Sequence, residues 1–179
     1  MTRGFRRTRD GRVAARLSAH EVTLVREVVA EMLELLGEEE RGGDEFARTL
    51  GIGESRTRPE DPVLARLFPD AYPADEEAAG EFRRYTESDL REEKREAAGT
   101  VLSSMPGAGG VHLVLDAGQA NAWLRALNDV RLALGTRLGV GEDAHQEFAG
   151  MGQNDPRYAG YATYDWLSFL LETLVRALS

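Results

Sequence analysis

Residues 18–37, SAHEVTLVREVVAEMLELLG, decide the fold class. Ser18 with Glu21 three residues on is a capping box, in which each side chain takes a backbone N–H that the first helical turn leaves free. Val22, Val25, Val28, Val29, Met32 and Leu36 then recur at the 3.6-residue period of a helix, and Gly37 is a stop. Leu24, Leu33 and Leu35 widen the stripe, which predicts a helix buried on more than one side. A helix so apolar needs other helices to cover it.

The same punctuation recurs downstream. GEEERGG (37–43) reads as a break, Asp44 as the cap of a short helix to Leu50 ended by Gly51 and Gly53, and residues 53–62 as a loop. Asp61-Pro62 places an N-cap before a proline at the first helical position and opens a turn or two through Phe68. Asp75, with Glu76 and Glu77 in the first turn, starts a helix to about Ser104, where Met105-Pro106-Gly107 must stop it. Its middle, TESDLREEKREAAG (86–99), is dense in charge and reads as a solvated face.

Residues 111–115, VHLVL, are the clearest strand. Asp116 and Gln119 repeat the capping box, Trp123, Leu127, Val130, Leu134 and Leu138 form a stripe, and Gly139 ends it. A Gly-rich loop with one helical turn (140–157) leads to a last helix over 159–178. The predicted fold is mainly α: a multi-helix orthogonal bundle whose core comes from 19–36, 117–138 and 159–178. A small antiparallel sheet joins an N-terminal β-hairpin (4–8, 12–17) to the strand at 111–115. The whole reads as a single domain, 1–179, with a basic hairpin over 1–17 and a helical body over 18–179.

Upstream of the first helix, Asp10-Gly11 supplies the positive φ of a two-residue hairpin turn. In that register Arg9 faces Arg12, Arg7 faces Ala14 and Phe5 faces Arg16, all on one side; Thr8 with Val13, Arg6 with Ala15 and Gly4 with Leu17 take the core side. Arg7, Arg9, Arg12 and Arg16 would then form a cationic ribbon face suited to phosphates or an acidic partner.

Charge is segregated along the chain. Residues 1–16 hold six arginines against Asp10, a net of +5, whereas residues 17–179 carry −14 within an overall −9. Such a body repels nucleic acid, so any polyanion must meet the N-terminal arm. With no cysteine there is no disulfide, thiolate metal site or cysteine nucleophile. MTRGFRRTRDGR lacks the apolar run of a secretory leader, and Asp165, Ser168, Glu172 and Arg176 interrupt the most apolar helix, so a cytoplasmic protein that spans no membrane is expected.

No nucleophile elbow, phosphate-binding loop or dinucleotide fingerprint occurs, and GEDAHQEF (141–148), with His145 near Glu142, Asp143 and Glu147, matches no strong zinc spacing. The chain is therefore not expected to be an enzyme, nor to hold a cofactor or metal. Six of its thirteen aromatics fall in 148–169 (Phe148, Tyr158, Tyr161, Tyr164, Trp166, Phe169), which suits core packing first and a homodimer surface on the last helix second.

AWLRALNDVRLALGTRLGV (122–140), GFRRTRDGRV (4–13), LSAHEVTLVREVV (17–29) and YDWLSFLLETLV (164–175) together resemble the actinobacterial AosR-like family of oxidative stress transcriptional regulators, formerly a domain of unknown function. The resemblance covers nearly the whole chain, with LRALNDVRLALGTRLG its most specific piece. It implies a cytosolic regulator of redox homeostasis, linked to cysteine biosynthesis genes and to a stress sigma factor. A thiol switch, which the family label suggests, has no cysteine to work with in this chain. Two readings follow. In the first, the protein regulates transcription with promoter DNA, a stress sigma factor or RNA polymerase, through the arginine hairpin; in the second, it is a helical adaptor that binds protein only.

Overall fold

The computed structural model describes residues 3–37 and 58–179. Along them run β1 (Arg3–Arg7), β2 (Val13–Leu17), α1 (Ala19–Gly37), α2 (Pro62–Leu67), α3 (Glu76–Ser103), β3 (Val111–Leu115), α4 (Ala117–Leu138), α5 (Ala144–Ala149) and α6 (Tyr158–Leu178). The fold is mainly helical with one antiparallel sheet ordered β1-β2-β3, so the strand at 111–115 does join the hairpin. The expected break after Gly37 and the short helix from Asp44 to Leu50, with its glycine stop, lie outside the described residues.

Four helices start at side-chain caps, while α5 and α6 start without one. Ser18 N donates to Glu21 Oε2 (2.7 Å) and Glu21 N to Ser18 Oγ (3.3 Å). Asp61 Oδ1 accepts from Val63 N (2.7 Å) and Leu64 N (3.3 Å), and Asp75 from Ala78 N (3.0 Å). Asp116 and Gln119 exchange bonds of 3.0 and 2.8 Å. Each cap satisfies donors the helix cannot, worth typically about 1 kcal/mol.

α4 is the central helix, packed on α3, α6, α2 and α1. Its Trp123 is fully buried, and the indole N–H donates to Ser104 Oγ at 2.9 Å just past the end of α3. The buried core to which it belongs also holds Val22, Val25, Val29, Leu36, Leu127, Leu167, Leu170 and Leu174. Leucines 113 and 115 seal the sheet against this core.

α3 departs from the sequence reading. Its charged middle is not wholly a solvated face: Arg83, Glu87 and Arg91 are buried, and so is Asp129 on α4. Spacing of four residues lines Arg83, Glu87 and Arg91 along one stripe of the helix. Glu87 accepts from Arg83 Nη1 at 2.9 Å and from Arg91 Nη2 at 3.1 Å. The outer ends of this ladder hold other elements. Arg91 Nη1 donates to the Leu36 carbonyl at 2.7 Å, near the end of α1, and its guanidinium lies over the Phe68 ring at 4.6 Å. Arg83 donates to the Phe68 carbonyl (3.1 Å) and to Asp70 (2.5 Å) after α2. Burial works against the Arg83 charge, but Asp70 and Glu87 outweigh it and hold its pKa above the ordinary arginine value. Alternating acids and bases look the same in sequence whether the stripe faces water or carbonyls, which is why periodicity misses this burial.

Two predictions arise. Removing Glu87 leaves two guanidiniums buried without their shared partner, so Glu87→Ala should lower urea-unfolding stability by about 3–5 kcal/mol. The exposed Glu81→Ala on the same helix should change it by less than about 0.5 kcal/mol. The second concerns Asp129, which pairs with Lys94 at 2.8 Å. Burial pushes its carboxyl above the ordinary 3.8, against the hydrogen bond and charge of Lys94 and the charge of Arg125. A raised folded-state pKa gives stability that is full below the unfolded value and lost as pH rises through the folded one. From about pH 4 upward, wild type should therefore lose stability relative to Asp129→Asn in urea titrations; a relative gain would contradict the burial effect.

Candidate functional site

The hairpin turn is built from Thr8 to Arg12. Thr8 N donates to Arg12 O (2.8 Å) and Gly11 N to Thr8 O (3.0 Å), which encloses a three-residue loop instead of the predicted two. Gly11 sits at φ +82°, the left-handed position that such a loop requires. The Asp10-Gly11 signal is therefore real, but it serves a loop one residue longer. Arg7 pairs with Val13 and Arg6 with Ala14, a shift of one from the expected register. A one-residue slip exchanges the faces.

A second irregularity completes the correction. Arg3 pairs with Arg16, so Gly4 and Phe5 together oppose the single residue Ala15, a β-bulge. Gly4 lies hard against α6: a Cβ there would come within 2.7 Å of Thr173 Cβ. Freed from the ladder, Phe5 N donates to Thr173 Oγ1 at 3.0 Å. The Phe5 ring, expected on the arginine face, is instead buried edge-on to Trp123 at 5.6 Å and 65°.

Residues paired directly across strands share a face. Arg3 with Arg16, Arg6 with Ala14, and on β3 His112 opposite Arg16 and Val114 opposite Ala14 therefore form the outer face of the sheet. Arg3, Arg6, Arg16 and His112 are all exposed, and none of the three arginines makes an ion pair among the described residues. Of the predicted set, Arg16 is at the centre of this face. Arg7 lies on the Val13 side at the end of the sheet, while Arg9 and Arg12 belong to the turn; all three are exposed. Arg12 is already engaged, its Nε 2.6 Å from Asp10 Oδ2. Hydrogen bonds from Thr8 and then from Arg12 hold the Asp10 carboxyl below its ordinary range. Sequence reasoning missed Arg3, Arg6 and His112 for different reasons: Arg6 turns outward with the longer loop, Arg3 with the bulge seated on α6, and His112 with the pairing of β3 on β2.

The C-terminal aromatics are divided. Tyr161 is buried, parallel to Phe148 at 6.2 Å, and donates to Glu147 Oε2 at 3.1 Å. Tyr158 lies 5.4 Å from Phe148, Tyr164 lies under Arg131 at 5.9 Å, and Trp166 packs partly buried against the core. Phe169, 40% exposed, is left to solvent.

Residues 2–178 match the family model described as a domain of unknown function, DUF2017. The chain is 35% identical, over 188 aligned positions that cover 96% of it and 84% of the relative, to a protein named Oxidative stress regulator AosR from Mycobacterium tuberculosis, and equally to that of Mycobacterium bovis. A protein of Mycobacterium leprae named Putative oxidative stress regulator AosR is 35% identical over 178 positions, 90% of this chain and 80% of that one. No solved structure matches. With the family model matched almost end to end and relatives at this identity across most of both chains, the protein belongs to the DUF2017, AosR-like family.

Proposed function

We propose that this chain is a regulatory protein of the oxidative stress response that works through an electrostatic contact made by the outer face of its sheet. The regulatory role follows the names of its relatives. The single observation that carries the contact is the placement of Arg3, Arg6 and Arg16, exposed and without carboxylate partners among the described residues, on a chain whose remainder is strongly acidic. Three guanidiniums on a twisted ribbon suit the phosphates of a duplex, with Arg7 and Arg9 at the turn end able to extend the track. Promoter DNA is the partner class this fits. A stress sigma factor or RNA polymerase would supply sequence choice, since phosphate contacts carry none. A homodimer through α6, using the exposed Phe169 and Val175, would double the track. No catalytic role is assigned to any residue.

The reading makes a quantitative prediction in fluorescence anisotropy on duplex DNA. Each phosphate neutralised contributes roughly −0.9 to the slope of log affinity against log salt, so three contacts give about −2.7 per chain. Arg6→Ala with Arg16→Ala should shrink that slope by about 1.8 and weaken all sequences alike. Arg12→Ala, whose side chain is engaged by Asp10, should change it less. Absence of binding at low salt, or binding indifferent to Arg6 and Arg16, would favour the protein-only adaptor.

A further inference from the structure

Among the described residues seven large hydrophobic side chains are exposed, and four of them fall in one region: Tyr72 (51%), Phe82 (47%), Tyr85 (58%) and Leu90 (38%). Their concentration matters, because scattered exposed apolar residues are normal whereas clustered ones rimmed by polar groups mark partner sites. Tyr72 and Phe82 meet edge to face at 6.0 Å, so the loop before α3 and the helix present one aromatic surface. Beside it, between α3 and the turn after α2, runs a groove with Phe68, Phe82 and Leu90 in its lining, which also includes the paired Asp70, Arg83 and Glu87.

The rim of this surface is predominantly acidic, although the Arg84 guanidinium lies 5.8 Å from the centre of the Tyr85 ring. Phe82, Tyr85, Asp89 and Glu93 lie at i, i+3, i+7 and i+11, one stripe of α3 turned away from the buried ladder. Glu81, Asp89 and Glu93 are exposed and make no ion pair among the described residues. The aromatic anchors thus sit among carboxylates with unspent charge. A long, regular helix that offers such a stripe fits a second helix of the opposite charge pattern.

From these juxtapositions we infer that the Tyr72–Phe82–Tyr85–Leu90 surface of α3 is a docking site for a basic amphipathic helix of a partner protein. Its apolar residues enter the groove at Phe82 and Leu90, and its lysines or arginines meet Glu81, Asp89 and Glu93. The inference does not rest on polyanion contact at the sheet. The two surfaces carry opposite charge and select different partners.

A fluorescein-labelled synthetic helix of leucine and lysine heptads, and its leucine and glutamate counterpart, test this against the full chain. The lysine peptide should bind, and added salt should weaken it, while the glutamate peptide should not bind. Phe82→Ser with Tyr85→Ser should reduce affinity roughly tenfold or more, as loss of central aromatic anchors does. Asp89→Lys with Glu93→Lys, which leaves the aromatics in place, should also weaken it. Thr23→Ser with Ala30→Ser, on the exposed side of α1, should leave it unchanged. All three variants replace exposed side chains, and unaltered thermal unfolding verifies that they fold. Equal binding of both peptides, no binding of either, or indifference to Phe82 and Tyr85 overturns the inference. A wild-type dimer in analytical ultracentrifugation that Phe82→Ser with Tyr85→Ser dissociates also overturns it, and assigns the surface to a second copy.

Discussion

The contact of Gly4 and Phe5 with Thr173 fixes how the sheet meets the helices, and the exposed chemistry of the molecule depends on it. Only a residue without a side chain lets β1 approach α6 this closely. The approach costs β1 a regular ladder position, and the Phe5 N–H that would be orphaned goes to the Thr173 hydroxyl. That hydroxyl in turn donates to the Leu170 carbonyl at 2.9 Å, so α6 holds the acceptor in place. Phe5 then reaches Trp123, the most central side chain of α4, and ties sheet, α6 and α4 together. The bulge also turns Arg3 and Arg6 to the same outer face despite their spacing of three. Packing and proposed function therefore share one cause.

Charge does three different jobs in three places. On α3 the Arg83–Glu87–Arg91 ladder is internal, and it satisfies carbonyls at Leu36 and Phe68 that apolar side chains would leave unpaired. One turn around the same helix, carboxylates rim an aromatic surface. On the sheet, Arg3, Arg6 and Arg16 have no carboxylate partner among the described residues. Residues 17–179 carry −14, so under the proposed function a polyanion would be repelled by most of the surface and directed to the basic face of the sheet.

What the sequence made legible was local. Ser18, Asp61, Asp75 and Asp116 each act within three residues of their own position, so their pattern is visible without any partner. Strand existence at 111–115 was equally local. Hairpin register was not: Asp10-Gly11 fits a two- or three-residue loop alike, and the bulge at Gly4 and Phe5 is seated on α6, more than 150 residues away. The placing of Phe5 on the expected arginine face, and of Arg7, Arg9 and Arg12 there in place of Arg3 and Arg6, both follow from missing the longer loop and the bulge beside it. The buried stripe of α3 was hidden for a related reason, since its partners are backbone carbonyls, which have no sequence signature. Family membership, by contrast, was carried by a linear pattern, LRALNDVRLALGTRLG, and needed no geometry.

The seat of β1 on α6 is most directly tested by urea denaturation of Gly4→Ala. The added methyl must displace Thr173 or β1, so the variant should lose about 1–3 kcal/mol of stability, as overpacking does in a filled interior. A loss within about 0.5 kcal/mol, the scale of an unconstrained surface change, would contradict the account and return Gly4 to an ordinary strand position.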